Sequence, residues 1–154
     1  MTVAIGKKLP TFSLPRSDGS TWKTADTKGT QLVLFFYPKA MTPGCTLEGQ
    51  DFRDLHAAFQ RAKTTVLGIS KDSCARQAKF REKEKFPFEL LSDEDEKVCR
   101  LFDVIREKSL YGRKFMGIER STFLFDSSGK LVREWRKVRV KDHAAEVLDA
   151  AKSR

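Results

Sequence analysis

Five consecutive apolar residues, Leu32-Val33-Leu34-Phe35-Phe36, constrain the fold of this chain more than any other stretch. A strand with one wet face alternates apolar and polar side chains, so an unbroken apolar strand must be covered on both faces. That requirement points to a sheet with helices packed on either side. The flanking sequence supplies them. Residues 43–62 place Phe52, Leu55, Phe59 and Ala62 at helical spacing, which predicts an amphipathic helix. Val66-Leu67-Gly68-Ile69 reads as a second buried strand, with a charged helix over 73–84 after it. Phe88-Glu89-Leu90-Leu91 reads as a short strand, and 94–102 as a helix carrying Val98, Leu101 and Phe102. Two more strands, Ser121–Phe125 and Leu131–Trp135, flank the tight turn Asp126-Ser127-Ser128-Gly129, and a last helix covers about 141–151. Ahead of them all, residues 10–22 read as a small hairpin turning at Asp18-Gly19.

Strands alternating with helices predict an α/β fold of thioredoxin-like type. Its central mixed β-sheet is flanked by helices on both faces, with an N-terminal β-hairpin. A length of 154 residues, without repeats or linker-like stretches, fits one domain over 1–154. No apolar run approaches the roughly 20 residues that span a bilayer, so no membrane partner is expected. Residues 1–10 lack the apolar segment and cleavage site of a secretory signal, which makes a cytoplasmic location the default. Three cysteines, odd and few for a disulfide framework, suit a reducing compartment. The formal charge of +9 invites a nucleic-acid reading. Its distribution argues against one: in Arg81-Glu82-Lys83-Glu84-Lys85 and Arg133-Glu134-Trp135-Arg136-Lys137 the signs interleave, as on a solvated mixed-charge face. The excess is available for an acidic partner protein. His56 and His143 lack ligand spacing and read as surface or cap residues, so no metal is expected. Trp22 and Trp135 read as core or rim packing.

The segment Pro38-Lys39-Ala40-Met41-Thr42-Pro43-Gly44-Cys45-Thr46-Leu47-Glu48 lies between the first buried strand and the first long helix. Open α/β sheets usually place their sites at such junctions. Thr42 suits an N-cap, and Pro43 suits the first helical position, where its missing N–H costs nothing. Cys45 then falls in the first turn, facing unpaired backbone N–H groups and the positive end of the helix dipole. Both favour thiolate over thiol, and the thiolate is the nucleophile. Free cysteines are most often small core residues, but Thr, Pro, Gly and Glu neighbours are poorly explained by packing. Glu48, three residues on, lies over the same helical face, where it either orients a cation near the sulfur or faces solvent.

The pattern Pro38-x-x-x-Thr42-x-x-Cys45 resembles the active-site motif of the peroxiredoxins. The longer string FFYPKAMTPGCTLEGQDFRD is similar to their bacterioferritin comigratory protein, or peroxiredoxin Q, subgroup. VLGISKD over 66–72, FELLSD over 88–93 and GIERSTFLF over 117–125 extend the likeness over nearly the whole chain. The resemblance implies a peroxidase that reduces hydrogen peroxide and organic hydroperoxides without metal, haem or flavin. Cys45 would be the peroxidatic cysteine that becomes sulfenic acid, and Thr42 would hydrogen-bond the peroxide. The N–H groups of Gly44 and Cys45 would help hold it, Arg120 would be the active-site arginine, and Pro38 would shield the sulfur. A guanidinium stabilises a thiolate and can bond peroxide oxygens in a fixed geometry.

The sequence departs from the subgroup at the second half of the cycle. A resolving cysteine is usual five residues after the first, where this chain has Gln50, or in the next helix near Arg81. Cys74, at the start of that helix, is the candidate resolving residue, with a bystander role as its alternative. Cys99 sits beside an apolar stripe and reads as packed. If neither resolves, Cys45 works alone and an external thiol reduces its sulfenic acid. The resemblance implies thioredoxin as reductant, with glutaredoxin or glutathione favoured by a one-cysteine cycle, and a monomer. A disulfide oxidoreductase would want C-x-x-C, and the corresponding position holds Glu48. A redox sensor or relay is the remaining alternative function.

Overall fold

The apolar run forms the middle strand of the molecule. The computed structural model describes residues 3–154; Met1 and Thr2, which begin the N-terminal stretch and domain read above, lie outside the described residues. Five strands make the main sheet: β3 (Gln31–Phe36), β4 (Thr64–Ser70), β5 (Glu89–Ser92), β8 (Ser121–Phe125) and β9 (Leu131–Trp135). Their order is β5-β4-β3-β8-β9, with β3, β4 and β5 parallel and β8 and β9 antiparallel to their neighbours. Leu34 of β3 stands opposite Leu67 of β4 and Phe123 of β8. A short hairpin, β1 (Ser13–Pro15) and β2 (Thr21–Lys23), precedes the sheet and turns where Asp18 accepts the Ser20 N–H at 2.8 Å.

Every residue of β3 is buried, and its alternate side chains enter two separate cores. Val33, Phe35 and Tyr37 face α1 (Pro43–Asp54), α2 (His56–Arg61), α3 (Cys74–Glu84) and α5 (His143–Lys152) through Phe52, Phe59, Phe80 and Val147. Leu32, Leu34 and Phe36 face α4 (Lys97–Leu101) and the hairpin through Val98, Leu14 and Trp22. Helices thus lie on both faces, unequally: one short helix serves the second face, and the N-terminal hairpin completes its cover. Phe35 stacks on Phe52 at 4.6 Å and Phe36 meets Phe102 at 5.0 Å. Burial of each such ring stabilises the fold by about 1.5–3 kcal/mol.

Three expectations are corrected. The helix over 43–62 is two helices, because Leu55 leaves helical backbone values (φ −100°, ψ 4°) while Phe52 and Phe59 keep ring contact at 5.8 Å. An unexpected hairpin, β6 (Ile105–Leu110) and β7 (Arg113–Ile118), stands off the sheet. Its turn residues Tyr111 and Gly112 both take positive φ (51° and 77°), the geometry of tight two-residue hairpins. Leu110, Tyr111, Phe115 and Met116 are exposed on it, which is why neither alternation nor a buried run marks it in sequence. Finally, His143 is buried rather than superficial; its Nε2 lies 2.8 Å from Thr122 Oγ1, and burial lowers its pKa to about 4. Among the described residues, no helix is long and apolar enough to cross a membrane.

Candidate active site

β3 ends at Phe36, and the chain crosses a six-residue connection, 37–42, before entering α1 at Pro43. Thr42 is the N-cap in extended conformation (φ −85°, ψ 156°), with Pro43 first in the helix. The Thr42 hydroxyl does not cap the helix. It donates to the Lys39 carbonyl at 2.8 Å, so its lone pairs stay available as acceptors. Thr46 N–H makes the first intrahelical bond, to Thr42 O at 2.9 Å, and the ladder leaves the N–H groups of Gly44 and Cys45 unclaimed. Cys45 is only 2% exposed, on the first turn. Pro38 is half-buried in the loop.

Arg120, between β7 and β8, closes over this turn. Its Nη2 donates to Cys45 Sγ at 3.5 Å and its Nη1 to Glu48 Oε1 at 2.6 Å. Glu48 is buried, and the Arg120 side chain is 16% exposed. A methyl group at Gly44 would stand 3.1 Å from Arg120 Nη2, so the missing side chain is what gives the guanidinium its path to the sulfur. Burial pushes the Glu48 carboxyl up to about 7, although Arg120 pulls the other way. Burial also opposes the charge of Arg120, but Glu48 and Cys45 outweigh it and raise the guanidinium pKa further. The Glu48 of the sequence reading is therefore a buried partner of Arg120, and the solvent-facing alternative falls.

Lys108 of β6 is a cation that the sequence reading missed. It is half-buried, and burial together with the Arg120 charge lowers its pKa while Cys45 opposes that shift. No local signal marks it, because it sits on the hairpin that the sequence does not reveal. Tyr37 is also new to the site: wholly buried in the Cys45 core, it hydrogen-bonds Gln77, and its hydroxyl pKa is raised well above the usual value by burial.

The remaining cysteines separate clearly. Cys74 opens α3, half-buried, behind the N-cap Ser73. Cys99 lies in the second core, where burial and Asp93 push its thiol far up. All three cysteines are free. The two positions that could have held a resolving thiol are used as ties. Gln50 donates to Glu84 Oε1 at 2.8 Å, linking α1 to α3, and Arg81 pairs with Glu89 at 3.0 Å, linking α3 to β5.

Around one sulfur, then, stand a guanidinium, two backbone N–H groups and a hydroxyl. Such donors suit a displacement in which charge moves from the sulfur to a leaving atom. The comparisons agree with that chemistry. Residues 5–134 match the AhpC/TSA family. The chain is 50% identical to Peroxiredoxin Bcp of Bacillus subtilis, over 99% of this chain and 97% of that protein. It is similar to the structure of Xanthomonas campestris bacterioferritin comigratory protein, solved for insight into that protein's alkyl peroxide reduction. The TM-score is 0.87 at 46% identity, covering 92% of this chain and 90% of that one. A serine-for-cysteine mutant of Xylella fastidiosa PrxQ matches with a TM-score of 0.93 at 40% identity, over 99% of this chain and 98% of that one.

Proposed function

The chain belongs to the AhpC/TSA family, as a peroxiredoxin of the bacterioferritin comigratory protein group, and from that premise we propose that Cys45 is its peroxidatic thiolate. The enzyme is a peroxidase. The observation that carries the assignment is the 3.5 Å contact from Arg120 Nη2 to Cys45 Sγ on an otherwise buried first turn.

The Cys45 thiolate attacks one peroxide oxygen, and an S–O bond forms as the O–O bond breaks. Sulfur gives up two electrons, and the other oxygen leaves as hydroxide or alkoxide, which takes a proton to become water or alcohol. Arg120 and the N–H groups of Gly44 and Cys45 stabilise the charge arriving on that oxygen. The Thr42 hydroxyl, donating to Lys39, accepts from the peroxide O–H. Glu48 holds Arg120 in place, and Pro38 shields the sulfur. The site is complete within one chain, and the subgroup resemblance supports a monomer acting as a single unit over 1–154. A cysteine count of three, odd and low for a disulfide framework, supports a reducing, cytoplasmic setting.

The sulfenic acid returns to thiol with a thiol donor: the first thiol forms a mixed disulfide and releases water, and a second releases Cys45. The ties made by Gln50 and Arg81 favour a cycle without the subgroup's usual resolving cysteines. Cys74 resolves as an internal partner, with thioredoxin reducing the pair, or Cys45 works alone with glutaredoxin or glutathione. Intact-mass and peptide analysis after one equivalent of peroxide separates these routes. A Cys45–Cys74 link assigns Cys74, whereas sulfenic acid or a mixed disulfide assigns the one-cysteine cycle. Cys45→Ser abolishes peroxide consumption; a variant that still turns over would remove Cys45 from the reaction.

A further inference from the structure

The loop that brings Thr42 to the sulfur is held from outside the site. Ala40, 1% exposed, has both ends of its peptide groups gripped by one pair of side chains. Its N–H donates to Asp72 Oδ2 at 2.7 Å, and its carbonyl accepts from Arg76 Nη2 at 3.1 Å. Asp72 and Arg76 also bond each other, Nε to Oδ1 at 3.0 Å, so three hydrogen bonds close a ring through the loop. Asp72 is further fixed by Ser70 Oγ, which donates to Oδ2 at 2.6 Å and accepts from Gln77 Nε2 at 3.0 Å. The side chain of Asp72 is 7% exposed, so this is a buried carboxylate fully committed to holding neighbours.

The next residue explains what the ring is for. Met41 takes φ of 66°, a left-handed conformation that costs a residue with a side chain free energy and that its surroundings must offset. Thr42 and Pro43 follow directly, and Cys45 lies one half-turn beyond. An error in the Ala40 peptide would therefore be passed to the Thr42 hydroxyl and to the entry angle of α1.

We propose that Asp72 and Arg76 are positioning residues of the peroxidase reaction, clamping the Ala40 peptide so that the strained Met41 sets Thr42 and Cys45 for attack. Neither touches the sulfur or the peroxide, and the proposal rests on Cys45 being the peroxidatic residue. The clamp belongs to the connection after β4, which holds Asp72, and to the first turn of α3, which holds Arg76, so the same turn that carries Cys74 also aligns the attacking site.

The test follows oxidation of Cys45 by hydrogen peroxide in single turnovers, quenched and trapped as the sulfenic acid, in the full chain. Asp72→Ala and Arg76→Ala each slow this step by on the order of 10- to 100-fold, the scale of a misplaced attack geometry. The double variant is no slower than the slower single, because both belong to one ring. Arg76→Lys keeps the charge but replaces the two nitrogens, Nε and Nη2, that reach Asp72 and Ala40 with a single one in no fixed plane, and slows like Arg76→Ala. Ser73→Ala is the control: it removes the Ser73 Oγ cap on Arg76 N–H (3.2 Å), lowers the melting temperature and leaves oxidation at the wild-type rate. Unchanged oxidation in the two alanine variants overturns the proposal, as does equal slowing in Ser73→Ala or full rescue by Arg76→Lys. If Asp72→Ala does not fold, Arg76→Ala, at a side chain 43% exposed, decides the matter. Retained turnover in Cys45→Ser would instead overturn the assignment of Cys45, whatever the clamp variants do.

Discussion

At Gly44 the space left by a missing methyl is filled by Arg120 Nη2, which would lie 3.1 Å from it. Gly44→Ala sits in a helix, where alanine is favoured by roughly 0.5–1 kcal/mol, so the variant holds or raises the denaturation midpoint. It should nevertheless slow Cys45 oxidation by about 10-fold, because the guanidinium has to move from the sulfur. Arg120→Ala removes the donor outright and slows the step by about 10²–10³-fold. Stopped-flow or quenched oxidation by peroxide measures both, and a Gly44→Ala rate equal to wild type would break the link between glycine and guanidinium. At this scale the sequence is legible where the chemistry is local. Thr42, Pro43 and Cys45 announce a helix start within four residues. Arg120 is 75 positions from Cys45, and only the family resemblance connects them beforehand. Lys108 has neither advantage, and His143 is misread because nothing near it reveals the Thr122 hydroxyl waiting in β8.

Five residues along the same helix, Gly49 has the opposite meaning. A methyl there would stand 2.3 Å from Phe86 Cζ, far inside contact distance. The ring cannot swing aside, since Phe88 stacks on it at 5.0 Å and Phe80 meets its edge at 4.9 Å. Gly49→Ala therefore overpacks the junction of α1 with the segment entering β5, with a loss of about 1–3 kcal/mol. Urea unfolding would register it as a lower midpoint, and an unchanged midpoint would mean that Phe86 is freer than its neighbours allow. Strands buried on both faces, β3, β4 and β8, carry dense apolar runs and are legible in the sequence, and α1 is legible from its helix-start residues and the spacing of Phe52. The β6–β7 hairpin carries charges and exposed apolar side chains instead, so its pairing depends on the Tyr111-Gly112 turn. The break at Leu55 was equally silent, because apolar spacing continues through it.

For the molecule as a whole, two buried groups give opposite pH dependences. His143 has its pKa lowered to about 4 from 6.5, so its stabilisation is present above 6.5 and is lost as pH falls through 4. Glu48 has its pKa raised to about 7 from 4.5, so its contribution is present below 4.5 and is lost as pH rises through 7. Each is worth on the order of 3 kcal/mol, and where the two windows overlap, from 4.5 to 6.5, their opposite slopes largely cancel. Glu48→Gln removes one of them, and its unfolding free energy should then climb with pH from 4.5 to 6.5, more steeply than that of the wild type. A slope no steeper than wild type would show that the two groups do not balance. The central place of β3 has a further consequence, for the chain while it is being made. Its parallel neighbour β4 follows within thirty-odd residues, but its other neighbour, β8, begins only at Ser121, just after Arg120. A nascent chain that ends earlier exposes an open apolar strand edge, the template for wrong pairing. It also has Cys45 without its guanidinium. Arrival of one short segment covers that edge and brings Arg120 to Cys45 together, so the sheet closes and the proposed site gains its guanidinium in the same step.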